Sequence, residues 1–242
     1  ERSRGERTRL KAENFLNLLY PRCCPLCHEI LREQKRLVCP EGEKKIHPVS
    51  GARCMKCGRQ VDKEAEYCRD CGKRERNFMQ GKGIFPYDEM WKFSIEKYKY
   101  YGCREYGIFY AETIFLFGKK DIIRWKPDRI IPVPLHRKKE KKRGFNQSAY
   151  IAGHLSFLTG IPCDEKMIEK CRNTKSQKKL NEQERRRNLK NAFVLRKNVK
   201  GLTLLVIDDV YTTGSTMDEI SASLMAGGAK NVYFLTLCTG NP

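Results

Sequence analysis

The clearest pattern along the chain is a run of apolar residues, Leu204-Leu-Val-Ile207, followed by two carboxylates, Asp208 and Asp209. A short continuous apolar run of this kind predicts a strand buried on both faces of a parallel sheet. Behind it, Met217, Ile220, Leu224 and Met225 recur at helical spacing, and Gly227-Gly228 closes that helix. Similar units precede it. Arg129-Ile-Ile-Pro-Val-Pro134 predicts a strand, and Ile151, Leu155 and Leu158 mark a helix that ends near Gly160. Gly83 to Tyr87 predicts an edge strand, Ala192 to Leu195 an extended segment, and Asn231 to Cys238 a last apolar strand. Glu89 to Phe117 reads as helical with a break near Gly102. Strands alternating with helices give an α/β fold with a parallel sheet.

Polar stretches separate these elements. Lys73 to Lys82 reads as a link between two parts of the chain, an amino-terminal module over 1–80 and an α/β domain over 81–242. His136 to Arg143 holds six basic residues in eight and reads as a loop at a strand's carboxyl end. Residues 169–191 hold too few apolar residues to pack, so a long basic lid or binding loop is expected there. Trp91, Phe93, Tyr98, Tyr100 and Tyr101 have the spacing of core aromatics. Only at Tyr98-Lys99-Tyr100, where a basic residue lies among aromatics, does stacking on bases stand beside that reading.

Cysteine usage changes the picture at the amino terminus. Of twelve cysteines, eight fall within the first 71 residues. Cys54-Met-Lys-Cys57-Gly and Cys68-Arg-Asp-Cys71-Gly are two knuckles whose tight turns aim paired thiolates at one ion. Together they supply a tetrahedral four-cysteine set for structural zinc. With few apolar residues between them, metal replaces hydrophobic burial as the stabiliser. Cys24, Cys27 and Cys39 give a second, incomplete set, because Gly42 stands where a matching knuckle has its last thiolate. Cys23, His28 and His47 are candidates to complete it. The charged start, Glu1 to Lys11, has no apolar core, so no export signal, no membrane insertion and a cytoplasmic location are expected.

Charge narrows the partners. Lys and Arg outnumber Asp and Glu by 49 to 29, a net +20, which favours a polyanion such as nucleic acid or a phosphorylated substrate. The acidic pair is followed by Thr212, Thr213, Gly214, Ser215 and Thr216 just before a helix. Strand, acidic pair, hydroxyl-glycine loop and helix start form a phosphate cradle, in which unpaired amides and the helix dipole face an anion.

The stretch Ile207 to Thr216 resembles the phosphoribosyl pyrophosphate signature of type I phosphoribosyltransferases. Combined with Pro132-Val-Pro134, Arg143-Gly-Phe-Asn-Gln147, Gln177, Glu184-Arg185, Asn188 and the cysteine module, it is similar to the ComF (ComFC) competence-protein family. The resemblance implies a type I phosphoribosyltransferase fold, a parallel sheet with flanking helices and a hood, carrying a small zinc module. It implies that Asp208 and Asp209 hold the ribose hydroxyls, that Thr212 to Thr216 hold the 5′-phosphate, and that Mg²⁺ bridges the pyrophosphate. Arg137, Lys138, Arg143, Arg172, Gln177 and Arg185 are the candidates for the pyrophosphate side and the lid. The biological role it implies is DNA uptake with single-stranded DNA binding, beside other uptake proteins such as a ComF helicase. A phosphoribosyltransferase of nucleotide metabolism and a non-catalytic phosphoribosyl pyrophosphate sensor are the other readings. A glutamine-dependent amidophosphoribosyltransferase is not expected, because the early cysteines have metal spacing and these 242 residues are too few for that second domain.

Overall fold

The computed structural model describes residues 21–33, 35–172, 189 and 191–240. Two compact units meet in the sequence at Ile46 and His47. The described part of the first is a metal-knuckle fold with a very small apolar core. A turn over Cys24 to Cys27 is closed by a bridge between Cys23 and Ile30. Helix α1, Pro40–Glu43, follows, capped by the Cys39 thiol, which accepts from the Gly42 amide. Only Cys24, Leu26 and Leu31 are buried apolar side chains there.

The second unit opens with a knuckle and a one-turn helix α2, Arg69–Gly72, and continues into strand β1, Gln80–Pro86. Then come α3, Glu89–Tyr100; α4, Tyr106–Trp125; β2, Arg129–Pro132; α5, Arg137–Arg143; and α6, Gln147–Thr159. Two short strands, β3, Ile168–Lys170, and β4, Phe193–Leu195, pair antiparallel. The chain closes with β5, Thr203–Tyr211; α7, Ser215–Ala226; and β6, Asn231–Thr239. The main sheet has the order β1-β6-β5-β2 and is parallel throughout. The expected parallel sheet with flanking helices and a cysteine-rich amino-terminal module is therefore borne out.

Strand β5 lies between β6 and β2, and Leu204, Leu205, Val206 and Ile207 are all fully buried. Because side chains alternate across a strand, Leu204 and Val206 join the face that holds Ile220 and Leu224 of α7. Helices α4 and α6 pack together and cover β1, β2, β5 and β6. The helix break expected near Gly102 is present, with φ +78° at that glycine. Two expectations change. His136 to Arg143 is not a loop: Arg137–Arg143 is helical, capped by the His136 side chain and ended by Gly144 in the left-handed region. The aromatics of 91–101 are not uniformly core, since Trp91 and Tyr98 are buried while Phe93, Tyr100 and Tyr101 are exposed.

The polar stretch Lys73 to Lys82 is packed against the sheet. Arg76 and Phe78 are buried, and Phe78 packs edge-on against Phe234 and Tyr211 at 4.9 and 6.4 Å. Cys54, Cys57 and Cys68 belong to the same apolar cluster as Leu204, Val206 and Phe234. The knuckle also runs along β1: the Gly81 amide donates to the Lys56 carbonyl at 2.8 Å, and Gln80 Nε2 to that of Met55 at 3.1 Å. At Gly58, φ is +69° and a Cβ would lie 2.4 Å from the Gly81 carbonyl oxygen, so only glycine fits this crossing.

Phe78 is thus the apolar rivet between knuckle and sheet. Phe78→Ala is expected to lower the unfolding free energy by about 3–5 kcal/mol, read by urea denaturation. A loss under about 1 kcal/mol would show that the segment is peripheral to the core.

Candidate functional site

The site forms where β5 runs out of apolar residues. Asp208 and Asp209 are both nearly buried, at 9% and 4% exposure. Each is met by a side chain from a distant element. Ser148 Oγ, in the first turn of α6, donates to Asp208 Oδ1 at 2.7 Å, and Lys99 Nζ of α3 forms an ion pair with Asp209 Oδ2. Burial, and then the charge of Asp209, push Asp208 up to about 7, against the pull of Ser148 and Lys99. The same surroundings act on neighbours. Burial and Asp209 push the Tyr87 hydroxyl up to about 12, while burial and Lys139 bring Lys170 down to about 8. Two adjacent buried carboxyl groups suit hydrogen bonding to paired ligand hydroxyls.

Beyond the pair, the chain turns through Thr212 and Thr213 to Gly214, the N-cap of α7 at φ +78°. A Cβ at Gly214 would lie 2.4 Å from the Tyr211 hydroxyl, so the tight turn excludes a side chain. Having none, Gly214 gives no side-chain cap to the first amides of α7. Thr213 Oγ1 and Ser215 Oγ bond each other at 2.9 Å. A cavity of about 470 Å³ opens here, lined by Asp208, Asp209, Thr212, Gly214, Ser215 and Thr216 together with Tyr87, Lys92 and Lys99. The combination of a carboxylate pair, two lysines and a helix start fits a ligand carrying both hydroxyls and a phosphate.

The loop is held from behind by the segment that leaves the knuckle. Arg74 and Arg76 both donate to the Thr213 carbonyl, at 3.2 and 3.3 Å. Arg76, whose side chain is fully buried, also forms an ion pair with Asp218 in the first turn of α7. Arg59 lies over the Tyr211 ring at 5.3 Å and donates to Asp70 at 3.0 Å.

Of the residues expected to contact ligand, the acidic pair and the loop come together, with Thr213 just behind the cavity wall. The basic candidates are more dispersed. Arg137 pairs with Glu169 at 3.2 Å and lines a separate cavity with Pro134 and Arg196. Lys138 and Arg172 are exposed. Arg143 bonds the Gln147 side chain and lies over the Tyr100 ring at 5.2 Å. Gln177 and Arg185 lie outside the described residues, as do Glu184 and Asn188. Sequence reasoning assigned no site role to Ser148, Lys92, Lys99 or Tyr87. The one signal available was Lys99 between two tyrosines, and it said nothing about which carboxylate it would meet.

The cysteines gather as their spacing predicts. The Sγ atoms of Cys54, Cys57, Cys68 and Cys71 lie within 4.8 Å of one another, as do those of Cys24, Cys27 and Cys39. Four neutral thiols do not rest easily at this range. Hydrogen bonding with Cys57 drives the Cys54 thiol far below its usual value, and the reciprocal bond drives Cys57 far above. A four-thiolate set of this kind fits a tetrahedral zinc, which would be held by Cys54, Cys57, Cys68 and Cys71 and would hold the two knuckles together. At the other set, a Cβ on Gly42 would point at Cys24 Sγ and Cys39 Sγ, at 3.1 and 3.3 Å. It would also lie 2.8 Å from Val38 Cγ2, so this packing has no room for a side chain at residue 42. Cys23 turns its thiol to the Pro21 carbonyl, and among the described residues no fourth ligand joins the three.

Comparison with known proteins agrees with both halves of this description. Residues 15–72 match the double zinc ribbon domain, supporting structural zinc, and residues 149–242 match the phosphoribosyl transferase domain. Competence protein F of Haemophilus influenzae is 30% identical over 226 residues, which span 90% of this chain and 96% of that protein. Competence protein ComFC of Bacillus subtilis is 30% identical over 213 residues, 83% of each chain. DNA utilization protein YhgH of Salmonella typhimurium is 31% identical over 188 residues, spanning 76% of this chain and 83% of that one. Motifs, fold and relatives agree: the chain belongs to the ComF competence-protein family and carries a phosphoribosyltransferase domain.

Proposed function

We propose that this protein binds phosphoribosyl pyrophosphate and acts in DNA uptake, where it handles single-stranded DNA. One observation carries the ligand: a buried carboxylate pair and an uncapped helix N-terminus behind a glycine turn share one cavity at the end of β5. In this reading Asp208 and Asp209 accept from the ribose hydroxyls, and the amides and hydroxyls of Thr212 to Thr216 hold the 5′-phosphate. Lys99 pairs with Asp209, and Ser148 orients Asp208 toward the ligand. Mg²⁺ arriving with the ligand would supply positive charge against the pyrophosphate oxygens. Arg137, Lys138, Arg143, Arg172, Gln177 and Arg185 are the proposed supply of further charge and hydrogen bonds on that side. The DNA role rests on relatives named for competence and DNA utilization, and on the +20 net charge. No helix among the described residues is long and apolar enough to cross a membrane.

The acidic pair gives a test with two readouts. Asp208→Asn and Asp209→Asn are each expected to weaken phosphoribosyl pyrophosphate binding at least about tenfold by calorimetry with Mg²⁺, since a hydrogen bond to a charged group is lost. Affinity equal to wild type would overturn the site. Asp208 also has a stability signature. Its folded value of about 7 lies above the ordinary 3.8, so the folded form binds more protons between those values. The stability from protonation is complete below 3.8 and is lost as pH rises through about 7. Asp208→Asn escapes that loss. At pH 8 its melting point should exceed wild type by about 2–4 °C per kcal/mol recovered. Near pH 4 the gap should close.

Metal analysis of purified protein is expected to find about one zinc per chain from the four-cysteine set, and up to about two if the three-thiol set also fills. Finding none would refute the metal reading. Single-stranded DNA affinity is expected to fall steeply between about 50 and 200 mM salt. An unchanged affinity would exclude an electrostatic mode.

A further inference from the structure

Helix α3 has two very different sides. Its inward face is filled by Trp91, Ser94, Ile95 and Tyr98, all buried. Trp91 stacks on Phe85 at 4.2 Å, and Tyr98 donates to the Gln147 carbonyl at 2.8 Å. The helix therefore has its full share of core contacts without its outer rings. Those rings are Phe93, Tyr100 and Tyr101, at 41%, 58% and 69% exposure.

Phe93, Lys97 and Tyr101 are four residues apart, so they form one stripe along the helix. The Lys97 ammonium lies 5.4 Å from the Phe93 ring and 4.7 Å from that of Tyr101. Arg143 takes the corresponding place over Tyr100 at 5.2 Å. Arg104, just past the helix, lies over Phe145 at 4.8 Å and donates to the Gly144 carbonyl at 3.1 Å. The same helix contributes Lys92 and Lys99 to the cavity that holds the acidic pair.

We propose that this stripe is a stacking platform for single-stranded nucleic acid, leading along α3 to the mouth of the sugar-phosphate cavity. Single exposed aromatics are ordinary on a protein surface. Three along one helix and its cap, each with a cation at its face, match what an unpaired strand presents: flat bases alternating with phosphates. A base would replace the cation on the ring face, and the displaced Lys97 or Arg143 would be free to meet the adjoining phosphate. A duplex keeps its bases stacked inside and offers the rings nothing. Binding should therefore favour single strands at equal charge. The proposal rests on the reading that the protein binds single-stranded DNA, and it assigns that binding to a surface.

The test uses the full chain and a fluorescein-labelled dT20 oligonucleotide, followed by anisotropy at several salt concentrations. Phe93→Ala/Tyr101→Ala is expected to weaken binding on the order of tenfold or more. Its salt dependence should match wild type, because no charge is removed. Lys97→Gln should instead flatten the logarithmic salt slope by about 0.7, the share of one phosphate contact. Phosphoribosyl pyrophosphate affinity should be unchanged in Phe93→Ala/Tyr101→Ala. As a second readout, Tyr101→Trp adds an exposed indole to a chain whose two tryptophans, Trp91 and Trp125, are buried, and stacking on dT20 should quench its emission. If wild type binds dT20 but the double variant binds equally well, or the indole emission does not change, the platform is overturned while DNA binding stands. If wild type binds no dT20, both fall.

Discussion

The fully buried guanidinium of Arg76 is the contact on which the site's geometry turns. It reaches the Thr213 carbonyl on one side and Asp218 on the other, across a sequence separation of 142 residues. An isolated buried charge is costly, and its partner is costly too once the pair is broken. The segment leaving the knuckle, the turn at Gly214 and the first turn of α7 are therefore locked into one arrangement. Asp218 would otherwise place a negative charge near the helix start, where an anion is expected to sit. Paired with Arg76, it is neutralised from the side away from the cavity.

The acidic pair carries the opposite economy. Burying two adjacent carboxylates costs stability at neutral pH, and Ser148 and Lys99 offset that only in part. Such strain at a strand's end is usual where a ligand's hydroxyls complete the hydrogen bonding. The cation partner comes from α3 and the hydroxyl from α6, so the core aromatics that fix α3, Trp91 and Tyr98, act on the site at one remove.

Local signals made the strand, turn and helix from Leu204 to Ala226 readable, because a doubly buried strand needs an unbroken apolar run and a tight helix entry needs glycine. The two cysteine sets were readable for a similar reason, since ligand spacing within a knuckle is fixed by the turn that makes it. Long-range choices were not. Nothing near Lys99 or Ser148 states that each will meet one carboxylate of the pair. Arg137 to Arg143 looked like a solvated loop because its residues are nearly all charged. Yet Lys and Arg are good helix formers, and His136 and Gly144 supply both caps. The aromatics of α3 share one spacing class, and only packing against α4 and α6 decided which rings went inside.

The passage of the knuckle beside β1 has a consequence for the protein's life outside its folded state. In the order β1-β6-β5-β2, β1 is an outer strand, with one row of backbone groups and no further strand beside it. The knuckle supplies partners to that row, through Lys56 to Gly81, Val49 to Ile84 and Arg53 to the Gly83 carbonyl. An uncovered outer strand is a template for pairing with another chain. Were the knuckle to open for want of a metal, the Gly81 amide and the Gly83 and Ile84 carbonyls of β1 would lose these partners and lie open to another chain. The four-cysteine set would then act beyond its own knuckles, as the guard of the sheet's outer edge.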